Sequence, residues 1–372
     1  MKVLIVTKSF VREVSDFVQY AASVDPSYQF SLVMPTCPEE LPAAVSTPPL
    51  GFPDVMRASL YLSPLLRQFK TFKPDIVHVF EEFSGLIALQ CTLFHELWCR
   101  KSKLMVYSAE NLRHNTRPIL RMPMNYVMTK ADLAFVCSQG VKEVLVEEGF
   151  PHPVEVVPLG VDISLFRKSS AVDLKDELQL DQTFVLGYVG RLLEIKGIFL
   201  LLDVLKKLPE HVHLLMVGTG PEEDNLRKRA ADFGIFHRIH LVGNVPHADL
   251  PRYMNCMDAG VVPSQTTPRW KEQFGRVAIE LMSCEVPVIA SDSGSLPEVL
   301  GDAGLIFPED NVQALHTHIQ SLMSSPQGIL RLGRYGRERV RQHYSTTLMY
   351  NTFFAMYERL TSSHPHPSRR SR

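Results

Sequence analysis

Short apolar runs rich in β-branched residues alternate with helix-like patterns along almost all of this 372-residue chain. Runs of this length, bounded by turn residues, are typical of parallel strands joined by crossover helices. Since the rhythm occurs in both halves, it predicts an α/β fold with two doubly wound sheets. The predicted strands are Val3–Val6, Phe30–Met34, Ile76–Phe80, Leu104–Tyr107, Ala134–Cys137, Val154–Val157, Phe184–Val189, His213–Val217, Ile239–Val242, Ala259–Pro263, Val288–Ala290 and Leu305–Phe307.

The chain is long enough for two domains, each with its own core. A polar spacer, Lys168–Gln182, leads into the second half and predicts domains at residues 1–165 and 166–345. An apolar helix with four aromatic side chains follows at residues 346–360. The tail, residues 361–372, has no apolar periodicity and is predicted to be disordered.

Composition excludes several classes of protein. Lys plus Arg number 39 against 40 for Asp plus Glu, so no basic field indicates nucleic-acid binding. No stretch approaches the roughly 18 apolar residues of a membrane-spanning helix, and the first apolar run is too short for a signal peptide, which predicts a cytoplasmic protein. Cys91, His95 and Cys99 share one helical stripe; a metal site is conceivable, but without a fourth ligand a core-facing stripe is favoured.

The segment from residue 269 to residue 298 constrains function most tightly. Glu272 precedes Phe274-Gly275, where glycine lets a ligand approach the backbone, and Val277–Cys284 has helical apolar spacing. A helix start offers free amides to an anion or to hydroxyls. Glu280 lies two turns into this helix and is costly to bury without a polar partner. The segment predicts a ligand rich in hydroxyl and phosphate groups.

A pair of cations stands where a second strand ends. Gly190-Arg191 directly follows the predicted strand Phe184–Val189, and Lys196 lies before a helix start. Ligands bind at the carboxyl ends of strands in open α/β sheets, and an arginine with a lysine can neutralise a diphosphate.

Taken in order, these motifs resemble the retaining glycosyltransferases of the GT-B fold, family 4. The resemblance rests on the Glu272 to Glu280 spacing, Gly190-Arg191-Leu192 with Lys196-Gly197, and four further turns. It implies two Rossmann-like domains facing each other across a cleft, with the terminal helix packed back on the first domain. The further turns are Pro158–Asp162, Val217–Pro221, Val242–Val245 and Val262–Ser264.

The resemblance also implies roles for individual residues. Glu272 would face the donor sugar and Glu280 would hold the ribose, while Arg191 and Lys196 would meet the diphosphate. The turn Val242–Val245 presents backbone to the base or is a plain turn, and Glu298 caps its helix or orients a cation. The predicted catalytic residues are Glu272, Arg191 and Lys196, and the predicted donor-binding residues are Gly190, Gly218, Gly243, Asn244, Phe274, Gly275, Arg276, Val277 and Glu280.

The first half departs from the family pattern in two places. The loop after the first strand, Lys8–Glu13, has no glycine. After strand Leu104–Tyr107, where the family often has a histidine, this chain has Glu110 and Asn111, with His114 three residues later. We favour Glu110 and Asn111 as the acceptor-side polar pair and keep His114 as an alternative.

Residues 100–130 contain seven basic residues and one acidic residue, interleaved with apolar ones. Such a surface could rest on anionic lipid and meet a lipid-linked acceptor, or it could be a solvated face over core methionines. Both interpretations remain open at this point.

The predicted function is transfer of a hexosyl group from a UDP- or GDP-sugar to a hydroxyl of a glycan or lipid-linked acceptor, without a metal cofactor. A nucleotide-sugar epimerase and a non-catalytic nucleotide-sugar-binding subunit of a glycan assembly complex are the alternatives. A nicotinamide-dependent oxidoreductase is disfavoured because neither half opens with Gly-x-Gly-x-x-Gly.

Overall fold

The structure, a computed structural model, describes residues 1–34, 45–46, 62–113 and 118–362. The chain divides into two compact units. The first unit comprises Met1–Val157 together with the C-terminal helix from Met349 onward, and the second unit comprises Pro158–Leu348. Each unit is built around one parallel β-sheet with helices between the strands.

The sheet of the first unit has seven described strands in the order β3-β2-β1-β4-β5-β6-β7, and every neighbouring pair is parallel. Its strands are largely buried because helices cover them. The elements are β1 (Lys2–Thr7), α1 (Val11–Val24), β2 (Gln29–Val33), β3 (Val45–Ser46), α2 (Leu62–Thr71), β4 (Ile76–Phe80), α3 (Leu86–Trp98), β5 (Lys103–Ser108), α4 (Pro118–Lys130), β6 (Leu133–Val136), α5 (Gln139–Glu147) and β7 (Val154–Val156).

The sheet of the second unit runs β10-β9-β8-β11-β12-β13, again all parallel. The chain starts in the middle at β8, builds outward to β10 and returns to β11 on the other side. The gap between β8 and β11 is therefore the switch point where such sheets bind ligands. The elements are α6 (Val172–Glu177), β8 (Phe184–Val189), α7 (Ile198–Leu205), β9 (Val212–Val217), α8 (Glu223–Asp232), β10 (Ile239–Gly243), α9 (Leu250–Met254), β11 (Ala259–Val262), α10 (Arg276–Ser283), β12 (Val288–Ser291), α11 (Leu296–Leu300), β13 (Leu305–Phe307), α12 (Val312–Met323) and α13 (Pro326–His343).

The predicted fold class is confirmed, and each of the twelve predicted strands is present within one residue at either end. The two-residue strand β3 was not predicted. The predicted boundary between residues 165 and 166 is displaced, because the second unit already begins at Pro158. Val161 explains the shift: its amide donates to Tyr344 O at 2.8 Å and its carbonyl accepts from Thr346 N at 3.1 Å.

The C-terminal helix α14 (Thr346–Ser362) packs on the first unit from Met349 onward. The ring of Phe17 on α1 lies 5.3 Å from those of Tyr350 and Phe353. The Tyr357 hydroxyl lies 2.6 Å from Nδ1 of His78, a fully buried residue of β4. The helix runs two residues into the predicted tail, and the rest of that tail, residues 363–372, lies outside the described residues.

Two absences hold for the part of the chain that the structure describes. No helix there is long and apolar enough to cross a membrane. No group of three or more His, Cys, Asp or Glu side chains there is placed to hold a metal ion. The stripe on α3 is a packing feature, since Cys91 is fully buried and His95 Nε2 lies 2.9 Å from Ser102 O.

Candidate functional site

A turn of three residues, Glu194–Lys196, carries the chain from β8 toward the end of β11. Gly197 ends this turn with φ +70°, and a Cβ there would lie 1.9 Å from Pro263 O. Only glycine allows this approach of two strand-ending loops. Gln265 N also donates to Ile195 O at 2.9 Å, so the two loops are bonded directly. This contact brings Lys196 to Glu272.

Glu272 and Lys196 form an ion pair at the switch point of the second sheet. Lys196 Nζ lies 2.7 Å from Glu272 Oε2, and the Ser264 hydroxyl donates to the same oxygen at 2.7 Å. The carboxylate is largely buried, with 11% of its side chain exposed, against 27% for the lysine. A cavity of about 190 Å³ adjoins the pair, lined by Tyr188, Val189, Gly190, Lys196, Val261, Val262, Pro263, Ser264, Glu272, Gly275, Arg276 and Val277.

The loop after β12 holds the backbone of Glu272. Ser295 N donates to Glu272 O at 3.1 Å, and a Cβ on Gly294 (φ +57°) would lie 1.9 Å from that carbonyl. The tight turn at Gly294 therefore holds the backbone of Glu272. Nothing in the sequence connects Gly294 with Glu272, which lies 22 residues earlier in the chain.

Arg191 differs from Lys196 in having an exposed guanidinium with no side-chain partner among the described residues. Its backbone is held, because the hydroxyl of the buried Tyr188 donates to Arg191 O at 2.6 Å. Burial, and then the negative charge of Glu272, raise the pKa of Tyr188, so that hydroxyl stays protonated and remains a donor. Arg191 is thus a free cation on a fixed backbone beside the cavity.

Glu280 is 3% exposed, and its carboxylate accepts a hydrogen bond from a residue that sequence analysis missed. His247 Nε2 lies 2.9 Å from Glu280 Oε1, and its ring packs edge-on against Phe166 at 4.9 Å. His247 therefore supplies the polar partner that the buried Glu280 carboxylate requires. Nothing in the sequence around His247 connects it with Glu280, 33 positions later.

Helix α10 begins beside the cavity, with Gly275 at its N-cap and φ +87°. Gly275, Arg276 and Val277 line the cavity, as expected for donor-binding residues. Phe274 does not: it is 4% exposed and packs edge-on against Tyr344 at 5.8 Å. The Phe274 ring therefore completes the core, and a role of this residue in donor binding stays a prediction.

Three of the predicted glycines lie together at the ends of neighbouring strands. Gly218 N donates to Gly243 O at 2.7 Å, and a Cβ on Gly218 would lie 2.0 Å from Gly190 O. The exposed Asn244 follows Gly243. Of these four residues, Gly190 lines the cavity beside Glu272, and the other three lie toward the β10 edge.

The corresponding edge of the first unit carries carboxylates. Glu110 lines a cavity of about 50 Å³, and Asn111 is 3% exposed. Sequence analysis missed Glu82, whose two oxygens accept from Ala109 N and the Ser108 hydroxyl, both at 2.7 Å. Burial raises the pKa of Glu82 to about 7. The alternative residue, His114, lies outside the described residues.

The loop Lys8–Glu13, which lacks the family's glycines, is held by Glu81. This carboxylate accepts from Lys8 N at 2.5 Å and from Ser9 N at 3.2 Å. These two amides are therefore occupied by the protein.

Most of the charge predicted for residues 100–130 is paired with acids. Arg100 and Lys130 contact Glu96, and Lys103 contacts Asp132 at 2.8 Å. Arg113 and Arg121 both contact Glu148, which follows the segment in the chain. This pairing favours a solvated face over a lipid-binding surface.

The two units match two families of known proteins. Residues 20–165 match the family described as Glycosyltransferase Family 4, and residues 172–339 match Glycosyl transferases group 1. Together these matches span strands β2 to β13 and the whole cavity at the switch point of the second unit.

Individual relatives agree. The chain is 25% identical over 319 residues to the capsular polysaccharide biosynthesis glycosyltransferase CapM of Staphylococcus aureus, covering 80% of each chain. It is 31% identical over 197 residues to a D-inositol 3-phosphate glycosyltransferase of Segniliparus rotundus, which is 50% of this chain but only 42% of that protein. This second alignment thus spans less than half of the relative's length.

Solved structures show the same fold. Anabaena Alr3699/HepE in complex with UDP and glucose superposes with a TM-score of 0.76 at 21% identity, covering 98% of this chain and 100% of that one. The matched families, the parallel sheets and this structural neighbour agree: the chain has the GT-B fold, and its two units match glycosyltransferase families over residues 20–165 and 172–339.

Proposed function

We propose that this chain is a retaining hexosyltransferase that uses a nucleoside diphosphate sugar. The observation that carries the proposal is the Glu272–Lys196 pair beside the free Arg191, all at the switch point of the second sheet. A carboxylate and two cations there suit a ligand with hydroxyls next to a diphosphate. HepE, the structural neighbour, is matched over its whole chain and was solved in complex with UDP and glucose. This supports a UDP-sugar as the donor, and a GDP-sugar is the alternative.

Each residue then has a defined task. Arg191 and Lys196 stabilise the charge that grows on the leaving diphosphate, as a divalent metal does in metal-dependent transferases. Glu280, held by His247, accepts from the ribose hydroxyls. Glu272 positions the sugar. The backbone amides at the start of α10 face the same ligand.

The proposed reaction proceeds on one face of the sugar. The bond between the anomeric carbon and the phosphate oxygen breaks as the acceptor oxygen bonds the same carbon from the same side. The departing phosphate oxygen takes the acceptor proton, and the nucleoside diphosphate leaves. Retention of configuration follows from the front-face approach, with Glu272 stabilising the sugar by position and charge.

The acceptor is proposed to be a hydroxyl of a glycan or a lipid-linked glycan, bound by the first unit near Glu110 and Asn111. CapM acts in capsular polysaccharide biosynthesis, which supports a surface glycan. Contact of residues 100–130 with a membrane stays a prediction, and sedimentation with anionic vesicles tests it.

The test starts with a panel of UDP- and GDP-sugars in a thermal unfolding assay. The true donor at 100 times its dissociation constant should stabilise the protein by about 2.7 kcal/mol. The labelled donor is then incubated alone and with glycan acceptors, and the anomeric configuration of the product is determined by NMR. Conversion of the donor alone into an epimer would make the protein an epimerase. Tight binding without turnover under any acceptor would make it a binding subunit.

A further inference from the structure

Lys196 has two partners among the described residues, and only one of them is an acid. Its ammonium lies 2.7 Å from Glu272 Oε2 and 4.4 Å from the centroid of the Trp270 ring. A cation at this distance from an indole face is attracted by the electron density of the ring. The proposed diphosphate role requires that Lys196 exchange Glu272 for the donor as its ionic partner. The contact between the ammonium and the Trp270 ring can persist during this exchange.

Trp270 is itself firmly placed. It closes a tight turn in which Thr267 N donates to Trp270 O at 2.7 Å and Trp270 N donates to Thr267 O at 3.3 Å. The preceding Thr266 is held through its amide by Glu309 at 2.5 Å and through its hydroxyl by Ser293 at 2.9 Å. The backbone that carries the indole is therefore fixed, whereas the lysine stem is flexible.

We propose that Trp270 is the positioning residue for Lys196: its ring holds the ammonium at the cavity while the ionic partner changes from Glu272 to the donor diphosphate. In the same step Glu272 exchanges its lysine partner for the sugar, while the Ser264 hydroxyl still donates to Glu272 Oε2. The inference rests on the proposed function, because it takes the ligand to be a nucleoside diphosphate.

The chain has two tryptophans, Trp98 in the first unit and Trp270 in the second, which makes the ring its own reporter. In a Trp98→Phe background, titration with UDP should change the Trp270 emission, because the ionic partner of the ammonium on the ring face changes from a carboxylate to a diphosphate. The midpoint should equal the dissociation constant from calorimetry. The change should vanish in Lys196→Met. GDP is titrated in parallel.

Substitutions of Trp270 distinguish the effect of its aromatic ring from the effect of its volume. Trp270→Leu should weaken UDP binding about 3- to 10-fold, the range for one partly shielded cation–ring contact, while Trp270→Phe should stay within about two-fold of wild type. In a Lys196→Met background Trp270→Leu should have no further effect, since the two residues act together. A merely structural role for Trp270 would give the same loss in both backgrounds.

The chain offers a matched control. Lys206 Nζ lies 4.4 Å from the centroid of the Phe233 ring, the same distance in the same unit but away from the cavity. Phe233→Leu should leave UDP binding unchanged. If UDP binds without changing the Trp270 emission, and if Trp270→Leu and Trp270→Phe bind UDP equally well, the inference about Trp270 is wrong. The proposed function would be unaffected by that result. Absence of both UDP and GDP binding by calorimetry would overturn the proposed function and the inference with it.

Discussion

The two units have the same central strand order but opposite charge at the carboxyl ends of their strands. In the second unit a free arginine and a lysine stand at the switch point, with Glu272 paired to the lysine. In the first unit Glu81 and Glu82 follow β4, and backbone amides satisfy them. Under the proposed function, this difference lets one scaffold serve two ligands, because cations suit a diphosphate and carboxylates suit hydroxyl donors.

The largest expected effect tests the second unit. Glu272→Gln should lower turnover by about 10²-fold or more and leave donor affinity within a few fold, because the lost charge acts on the reacting sugar. Initial rates and donor calorimetry measure the two quantities. Glu338→Gln, an exposed acid on α13 in the same unit, is the control. Equal turnover in Glu272→Gln would remove this residue from the mechanism.

Substitutions of Glu280 test donor binding, whereas Glu272→Gln tests turnover. Glu280→Ala should weaken donor binding by about 1.5–3 kcal/mol, the range for hydrogen bonds to a charged group. Glu280→Gln keeps a partner for His247 and should lose less. Calorimetry gives the affinities, and melting temperatures check that the alanine variant is folded. Unchanged donor affinity in both variants would leave Glu280 with a structural role.

The first unit should show its own dependence on pH. Burial lowers the pKa of His78 from 6.5 to about 3, so His78 is neutral in the folded state. Its folded pKa lies below the unfolded one, so stability is full above pH 6.5 and falls as pH drops toward 3. The loss between pH 7 and pH 5 should be about 2 kcal/mol.

Urea unfolding at pH 7 and pH 5 measures this loss through Trp98, which lies in the first unit, in a Trp270→Phe background. The double variant His78→Phe, Tyr357→Phe removes the histidine together with its hydrogen-bond partner and should lose less stability between the two pH values. The same loss in the double variant would show that other groups carry the effect.

The smallest effect concerns Glu82. Because its pKa is about 7, the ionised carboxylate, which is the stronger acceptor, becomes the main form of Glu82 as pH rises above neutral. If the first unit holds the acceptor hydroxyl there, kcat/KM for the acceptor should rise a few fold as pH increases through 7. Glu82→Gln should remove that rise and keep the donor KM unchanged. An identical pH profile in the variant would separate Glu82 from the acceptor.

The comparison also shows what sequence can predict. Strand positions were predictable because each buried parallel strand is a short apolar run, and the cavity residues around Glu272 because their motifs follow strands. The side-chain contacts between residues that are distant in the sequence were not predictable. Lys196 and Glu272 lie 76 positions apart and meet only through the order β8-β11. His247 and Glu82 belong to no motif, and the pairing of the basic residues depends on acids from outside their segment.

We expect cations of the second unit, and no metal ion, to hold the donor diphosphate. Calorimetric titration of UDP into wild type and Arg191→Ala, first with EDTA and then with Mg²⁺, checks this. Wild type should show one dissociation constant under both conditions and Arg191→Ala about 10-fold or weaker binding, with Arg191→Lys in between because a point charge lacks the bidentate fork. Binding that EDTA abolishes and Mg²⁺ restores would contradict it.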